Sequence, residues 1–204
     1  MTDDPDTGDR AAIRDLLEGW VIFRDAGDWT RLAGLWAPDG VMNSTVFQGP
    51  ATDFMRMSQV AFERGVNVLH TLGGSVIDIN GLRAIAQTKM AISQRAVVHD
   101  VLSDVVCHGR FYDLLEKQSG RWRLVERQPI YEKDRIDPVD PAAELTLDPE
   151  RLARFPEGYR HLAYLQTSLG MTVKDDMPQL RGPLVEALYL RGQRWLAGGP
   201  DRTM

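Results

Sequence analysis

Four histidines and one cysteine are all the imidazole and thiol groups in this chain of 204 residues. Two of the histidines stand where titratable rings are uncommon. His70 follows Val66-Asn-Val-Leu, and His108 sits in Asp104-Val-Val-Cys-His-Gly-Arg-Phe-Tyr112, both among apolar and β-branched residues. In a strand, alternate residues share a face. Val66, Val68, His70 and Leu72 would then line one face, and Val106, His108, Arg110 and Tyr112 one face of a later strand. If both faces look the same way, two imidazoles enter one apolar cavity. The plainer alternative for each is a core histidine bonded to a backbone carbonyl. A third group is Asp25, in Trp20-Val-Ile-Phe-Arg-Asp-Ala-Gly. It ends a helical pattern, where the macrodipole is negative and a carboxylate is disfavoured. Either it is solvated beside Gly27, or it turns inward and accepts a hydrogen bond from a histidine. In the second case one ring nitrogen is oriented and the other becomes a general base near neutral pH.

The elements that must position these groups follow from periodicity. Ile13, Leu16, Leu17, Trp20, Val21 and Phe23 recur at helical spacing over Asp9–Phe23. Asp28 is a cap for a second helix carrying Trp29, Leu32, Leu35 and Trp36, which Pro38-Asp39-Gly40 stops. Val41–Phe47 reads as a strand and Thr52–Arg64 as a third helix. From Val66 the pattern turns to long strands: Val66–Ile79, a hairpin signal at Asn80-Gly81, Arg83–Val98, Val101–Glu116, a turn at Gln118-Ser119-Gly120, and Arg121–Asp134. Helices first and an antiparallel meander after make an α+β fold. Gly73-Gly74 is read as a bend or bulge rather than a phosphate loop, since no helix start follows it. Asp137-Pro138-Val139-Asp140-Pro141 reads as a stiff linker. Beyond it, Leu147–Phe155, Pro156–Gly170 and Pro178–Ala197 have helical patterns too sparse to bury a core alone. The expected organisation is a cone domain over residues 1–136 and a helical extension over 137–204, packed on the cone or on a neighbouring subunit.

Composition narrows the partners. With 43% hydrophobic and 26% charged residues the chain has an ordinary globular balance, and its net charge of −5 argues against nucleic acid or anionic lipid. No apolar run approaches the ~20 residues of a membrane helix. The N-terminus lacks the basic and apolar regions of a secretory signal, and a lone Cys107 fits a reducing compartment, so the expected location is cytoplasmic. The histidines show no short metal-ligand spacing, and Asp3-Asp4 and Asp175-Asp176 read as solvated acids. No metal and no cofactor are expected. Phe54 and Met57, with Met55 and Phe62, could wall an apolar pocket. Of Arg24, Arg95, Arg110 and Arg127, Arg110 is favoured as a cation near the cavity because it shares strand parity with His108.

Phe23-Arg-Asp25-Ala-Gly-Asp28-Trp29-Thr-Arg-Leu32, followed by Leu35-Trp36-Ala-Pro-Asp39-Gly40, resembles the opening of SnoaL-like proteins. These belong to the nuclear-transport-factor-2-like superfamily of conical α+β barrels, in which N-terminal helices pack on a curved antiparallel sheet. Trp122-Arg-Leu-Val-Glu-Arg-Gln-Pro129 resembles the last-strand motif of that superfamily. Among its members the pattern is similar to scytalone dehydratase, hexachlorocyclohexane dehydrochlorinase and bile-acid 7α-dehydratase. The resemblance implies that Asp25 pairs with His70 as a catalytic dyad and that His108 matches a second catalytic histidine. Trp20 and Arg24 stand where the dehydratases carry catalytic tyrosines, which leaves Tyr112 and Tyr131 as this chain's own phenols. The expected activity is a cofactor-independent acid–base elimination, isomerisation or cyclisation of a small apolar or aromatic compound. Trp20, Arg24, Phe54, Met57, Arg110, Tyr112 and Tyr131 are the expected substrate contacts, and the chain is expected to form a homo-oligomer. The alternative is a binding or assembly subunit of the same fold without chemistry, marked by a filled cavity or by Asp25 and His70 lying far apart.

Overall fold

The computed structural model describes residues 6–199; Asp3-Asp4 and the rest of the extreme N-terminus lie outside the described residues. Helix α1 (Thr7–Ala26) carries Ile13, Leu16, Leu17, Trp20, Val21 and Arg24 on its buried face, and Gly27 ends it at φ 73. It runs one turn further than the apolar pattern alone predicts, so Asp25 lies in its last turn. Asp28 accepts from the Arg31 N–H and caps α2 (Trp29–Ala33). Trp36 is not on that helix. It opens β1 (Trp36–Asn43), where a side chain at Gly40 would stand 2.8 Å from the Trp36 ring and 3.0 Å from the Leu124 carbonyl. The expected turn at Pro38-Asp39-Gly40 is thus an irregular stretch of strand, pressed against its neighbour. A short turn leads to β2 (Gln48–Pro50) and then α3 (Ala51–Glu63).

Four long strands follow: β3 (Asn67–Asn80), β4 (Arg83–Val98), β5 (Val101–Gln118) and β6 (Arg121–Pro138). Gly81 at φ 61, His99-Asp100 at φ 50 and 63, and Ser119-Gly120 at φ 50 and 79 make the three tight turns between them. The sheet order is β2-β1-β6-β5-β4-β3. The meander is antiparallel as expected, but β1 lies parallel to β6, so the six-stranded sheet is mixed and open. Gly73-Gly74 sit at a register shift in β3, between Leu72 opposite Met90 and Ser75 opposite Thr88. The supposed linker is strand up to Pro138.

Paired residues across a sheet share a face. One row therefore runs His70, Ile92, Cys107, Asp134, and the next runs Thr71, Ala91, His108, Lys133. The first row belongs to the inner face, packed against α1, α3 and the tail helix α5 (Arg160–Ser168). The second belongs to the outer face. There, beyond the short α4 (Pro149–Leu152), helix α6 (Pro183–Leu196) covers Ile85, Tyr112, Leu114 and Ile130 with Val185, Leu188 and Trp195. The tail thus packs on both faces of its own chain's sheet. Asp134 holds α5 in place by accepting from the Leu162 N–H and pairing with His161 Nδ1, each at 2.8 Å. Among the described residues no helix is long and apolar enough to cross a membrane.

Candidate active site

The last turn of α1 meets β3 through one carboxylate. Asp25 Oδ2 accepts the His70 backbone N–H at 2.6 Å, and Asp25 Oδ1 lies 2.7 Å from His70 Nδ1. The backbone bond holds the aspartate rigidly at a helix end that would otherwise repel it, and the ring bond assigns Nδ1 as the protonated nitrogen. Nε2 is left with a lone pair and makes no hydrogen bond among the described residues. The His70 side chain is 7% exposed and that of Asp25 15%. Burial pushes the imidazole below its ordinary pKa; Asp25 acts in the opposite direction, and the nearby positive charges of Arg24 and Arg127 add to the lowering. The ring is therefore neutral at neutral pH, with its free nitrogen able to take a proton.

His70 lines a cavity of about 400 Å³ between α1, α3, the inner sheet face and the tail, a size suited to a small organic ligand. Trp20 meets the imidazole edge-on at 5.4 Å, and Phe111 lies 6.3 Å from it. Of the residues expected to contact substrate, Trp20, Arg24, Phe54, Met57 and Tyr131 all line this cavity. Trp20 and Arg24 do so because residues four apart share a helix face. Burial pushes the Tyr131 phenol far up, so it stays neutral. Leu162, Gln166, Met171 and Thr172 of the tail close one side. Gln166 is tied to Thr45 by a buried bond of 2.8 Å.

His108, Arg110 and Tyr112 are not in the cavity. They stand on the outer face, which corrects the expectation that the two histidines share one site. His108 is exposed beside Lys89 and Lys133. Arg110 donates to Glu132, Gln87 and the Tyr189 hydroxyl. Tyr112 packs under α6, where its ring lies 5.5 Å from Tyr189. The cause is register: Cys107, not its neighbour, is in line with His70. Cys107 itself is fully buried, its thiol pushed well up by burial, and so is inert.

A buried ion pair behind the aromatic wall was not foreseen. Arg127 donates from Nε and Nη2 to the two oxygens of Asp113 at 2.8 and 2.9 Å, with both side chains wholly inaccessible. The guanidinium lies against both Trp20 and Phe111, 4.3 and 4.2 Å from their ring centroids. Burial raises the Asp113 pKa against the opposing pull of Arg127. Its sequence signal is a lone acid inside the apolar run Phe111-Tyr-Asp-Leu-Leu115. Among the described residues no three metal-ligating side chains converge.

Comparison with known proteins matches residues 5–128 to the SnoaL-like domain. Pea pathogenicity protein 2 of Fusarium vanettenii is 35% identical over 204 residues, covering 93% of this chain and 86% of that protein. The structure of LinA superposes with a TM-score of 0.57 at 16% identity, over 72% of this chain and 100% of that one. A provisionally named scytalone dehydratase of Novosphingobium aromaticivorans gives 0.56 at 16% identity over the same shares. At such identities the two structures speak to the fold alone.

Proposed function

The chain belongs to the SnoaL-like domain family, and from its site geometry we propose that it is a cofactor-independent acid–base lyase or isomerase for a small, largely apolar ring compound. The observation that carries the reading is the contact of His70 Nδ1 with Asp25, which leaves Nε2 free in an apolar cavity. His70 Nε2 takes a proton from a carbon next to an activating group. The C–H electron pair forms the new double bond, and a leaving group departs with its own bonding pair. For a hydroxyl leaving group, the imidazolium returns the proton and water leaves; an isomerase returns it to another carbon instead. The walls exclude water, which strengthens the dyad's electrostatics when the ring becomes charged. A cavity that side chains leave open and the touching dyad weigh against a purely structural subunit. His108 has no part in this mechanism because the sheet separates it from the substrate.

The test is a screen of cyclic β-hydroxy ketones and acids in D₂O, followed by NMR for loss of water or uptake of deuterium. His70→Ala is expected to lower turnover by a factor of about 10³, within the usual range for a general base, while His108→Ala retains it. Full activity in His70→Ala refutes the assignment.

A further inference from the structure

Arg24 is the wall group whose chemistry the dyad does not use. It lies in the last turn of α1, one turn beyond Trp20, and lines the cavity with its side chain 10% exposed. Three other buried or half-buried arginines face a carboxylate, although Arg127 Nη1, like Arg160 Nε away from the cavity wall, is also buried without a hydrogen bond. Arg127 has Asp113, Arg110 has Glu132, and Arg191 has Glu126. Arg24 makes no side-chain hydrogen bond among the described residues, and its Nε is buried without an acceptor. Its charged neighbour is Asp25, 3.6 Å from Nη1, too far for a hydrogen bond. Both oxygens of Asp25 are in any case engaged by His70. Nor do the polar wall groups answer it: Thr45 and Gln166 bond to each other. Burial pulls the Arg24 pKa down more than Asp25 raises it, so the charge is desolvated without full compensation.

A guanidinium has five donors in a fixed plane and no acceptor capacity. Leaving such a fork buried and unmatched is costly, unless a ligand supplies the missing oxygen. The field of Arg24 is felt at the His70 ring, so an oxygen held by one and a C–H presented to the other can belong to one small molecule. We propose that Arg24 is the oxygen receptor of this cavity, and that the ligand is an apolar ring compound whose carbonyl-type oxygen is anionic as bound or becomes anionic when His70 takes its proton. This rests on the acid–base reading above and names its substrate class. The oxygen is either that of a carboxylate or that of a ketone which becomes an enolate. In the second case the C–H bond breaks, its proton goes to His70 Nε2, and the electron pair moves into the C=C of the enolate. The negative charge then rests on the oxygen that Arg24 holds. Arg110, matched on the outer face, cannot take that place.

The experiment is a binding series read by calorimetry, using 2-naphthoate, 2-naphthamide and 2-naphthol. The full chain is compared with Arg24→Met, Arg24→Lys and His70→Ala. Wild type is expected to bind an anionic probe about tenfold or more tightly than the amide, a factor that one charge-assisted contact supplies. Arg24→Met loses that preference with the amide unchanged, and Arg24→Lys keeps part of it, which guards against a fold defect in the first variant. A preference for 2-naphthoate identifies a carboxylate ligand. A preference confined to 2-naphthol, with its bound hydroxyl ionising at lower pH by absorbance, identifies an enolate. Equal affinity for amide and anions, a preference that survives in Arg24→Met, or no binding by any probe overturns the proposal. His70→Ala separates the two readings, because it lowers turnover by a factor of about 10³ but leaves the anion preference intact. An anion preference without any elimination activity in wild type sinks the lyase and keeps the receptor.

Discussion

Asp25→Asn is the most informative single change, because the geometry predicts which ring nitrogen carries the proton afterwards. The carboxylate now receives two N–H groups, the His70 backbone at 2.6 Å and Nδ1 at 2.7 Å. An asparagine offers one oxygen and one NH₂ in their place. The backbone N–H cannot become an acceptor, so the amide oxygen must stay with it and the NH₂ must face the ring. Nδ1 then has to accept, and the proton moves to Nε2. The nitrogen that faces the cavity loses its lone pair, and loss of the negative charge lowers ring basicity further. A histidine held in the wrong tautomer costs about 10⁴ in turnover in the serine proteases, and a loss of similar order is expected here. The stability cost is small. Replacing two charge-assisted bonds by neutral ones costs about 1–3 kcal/mol. Removing a negative charge from a helix C-terminus returns roughly 0.3–1 kcal/mol. The net loss is then about 0–3 kcal/mol, a fall in Tm of at most roughly 11 °C for a chain of this size, and the variant is folded at 25 °C. The assay is a long-range ¹⁵N–¹H correlation spectrum of the histidine rings at pH 7.5, with His70 assigned through His70→Gln. The unprotonated nitrogen should be Nε2 in wild type and Nδ1 in the variant. A wild-type ring protonated on Nε2 would falsify the reasoning before any substrate is known.

The remaining expectations concern the ion pair behind the wall and the pH response. Asp113→Asn leaves the Arg127 charge unpaired in the core and should cost about 3–5 kcal/mol in urea unfolding, with Asp113→Leu/Arg127→Met recovering most of it. A single-variant loss below about 1 kcal/mol would contradict a truly dry pair. Because burial holds the His70 pKa below 6.5, the base form persists as pH falls through 6.5, and kcat should drop only at a midpoint below that value. The same shift makes the fold's gain from His70 complete above the unfolded pKa of 6.5. That gain declines as pH falls from 6.5 toward the folded value, since the unfolded chain takes up the proton first. A kcat midpoint at or above 6.5 would show the ring to be less desolvated than the structure has it.

Much of the site was legible in sequence because the signals were local. An acid at the end of an amphipathic helix before Gly27 is out of place electrostatically, and a histidine alternating with Val66, Val68 and Leu72 belongs to one strand face; together they mark Asp25 and His70. Trp20 and Arg24 follow from helical spacing, and Asn80-Gly81 and Ser119-Gly120 mark hairpins by their tolerance of positive φ. Alternation, however, says which residues share a face without saying which face looks inward. That is decided by inter-strand register, and a shift of one residue exchanges the two sets. Tertiary pairing sets Cys107 level with His70, so His108, Arg110 and Tyr112 face outward and Phe111 and Asp113 inward. It also takes Trp36 from the helix that periodicity suggested into a strand parallel to β6, because pairing across some ninety residues leaves no mark on local pattern. The same long-range packing carries α5 of the tail over its own cavity. The sequence by itself thus determined the order of most elements and singled out Asp25 and His70 as groups out of place, through charge and periodicity that neighbouring residues carry; their pairing was what the family resemblance implied. Only the tertiary structure decided which arginine stands in the cavity without an acceptor, because a missing partner is a property of the whole enclosure.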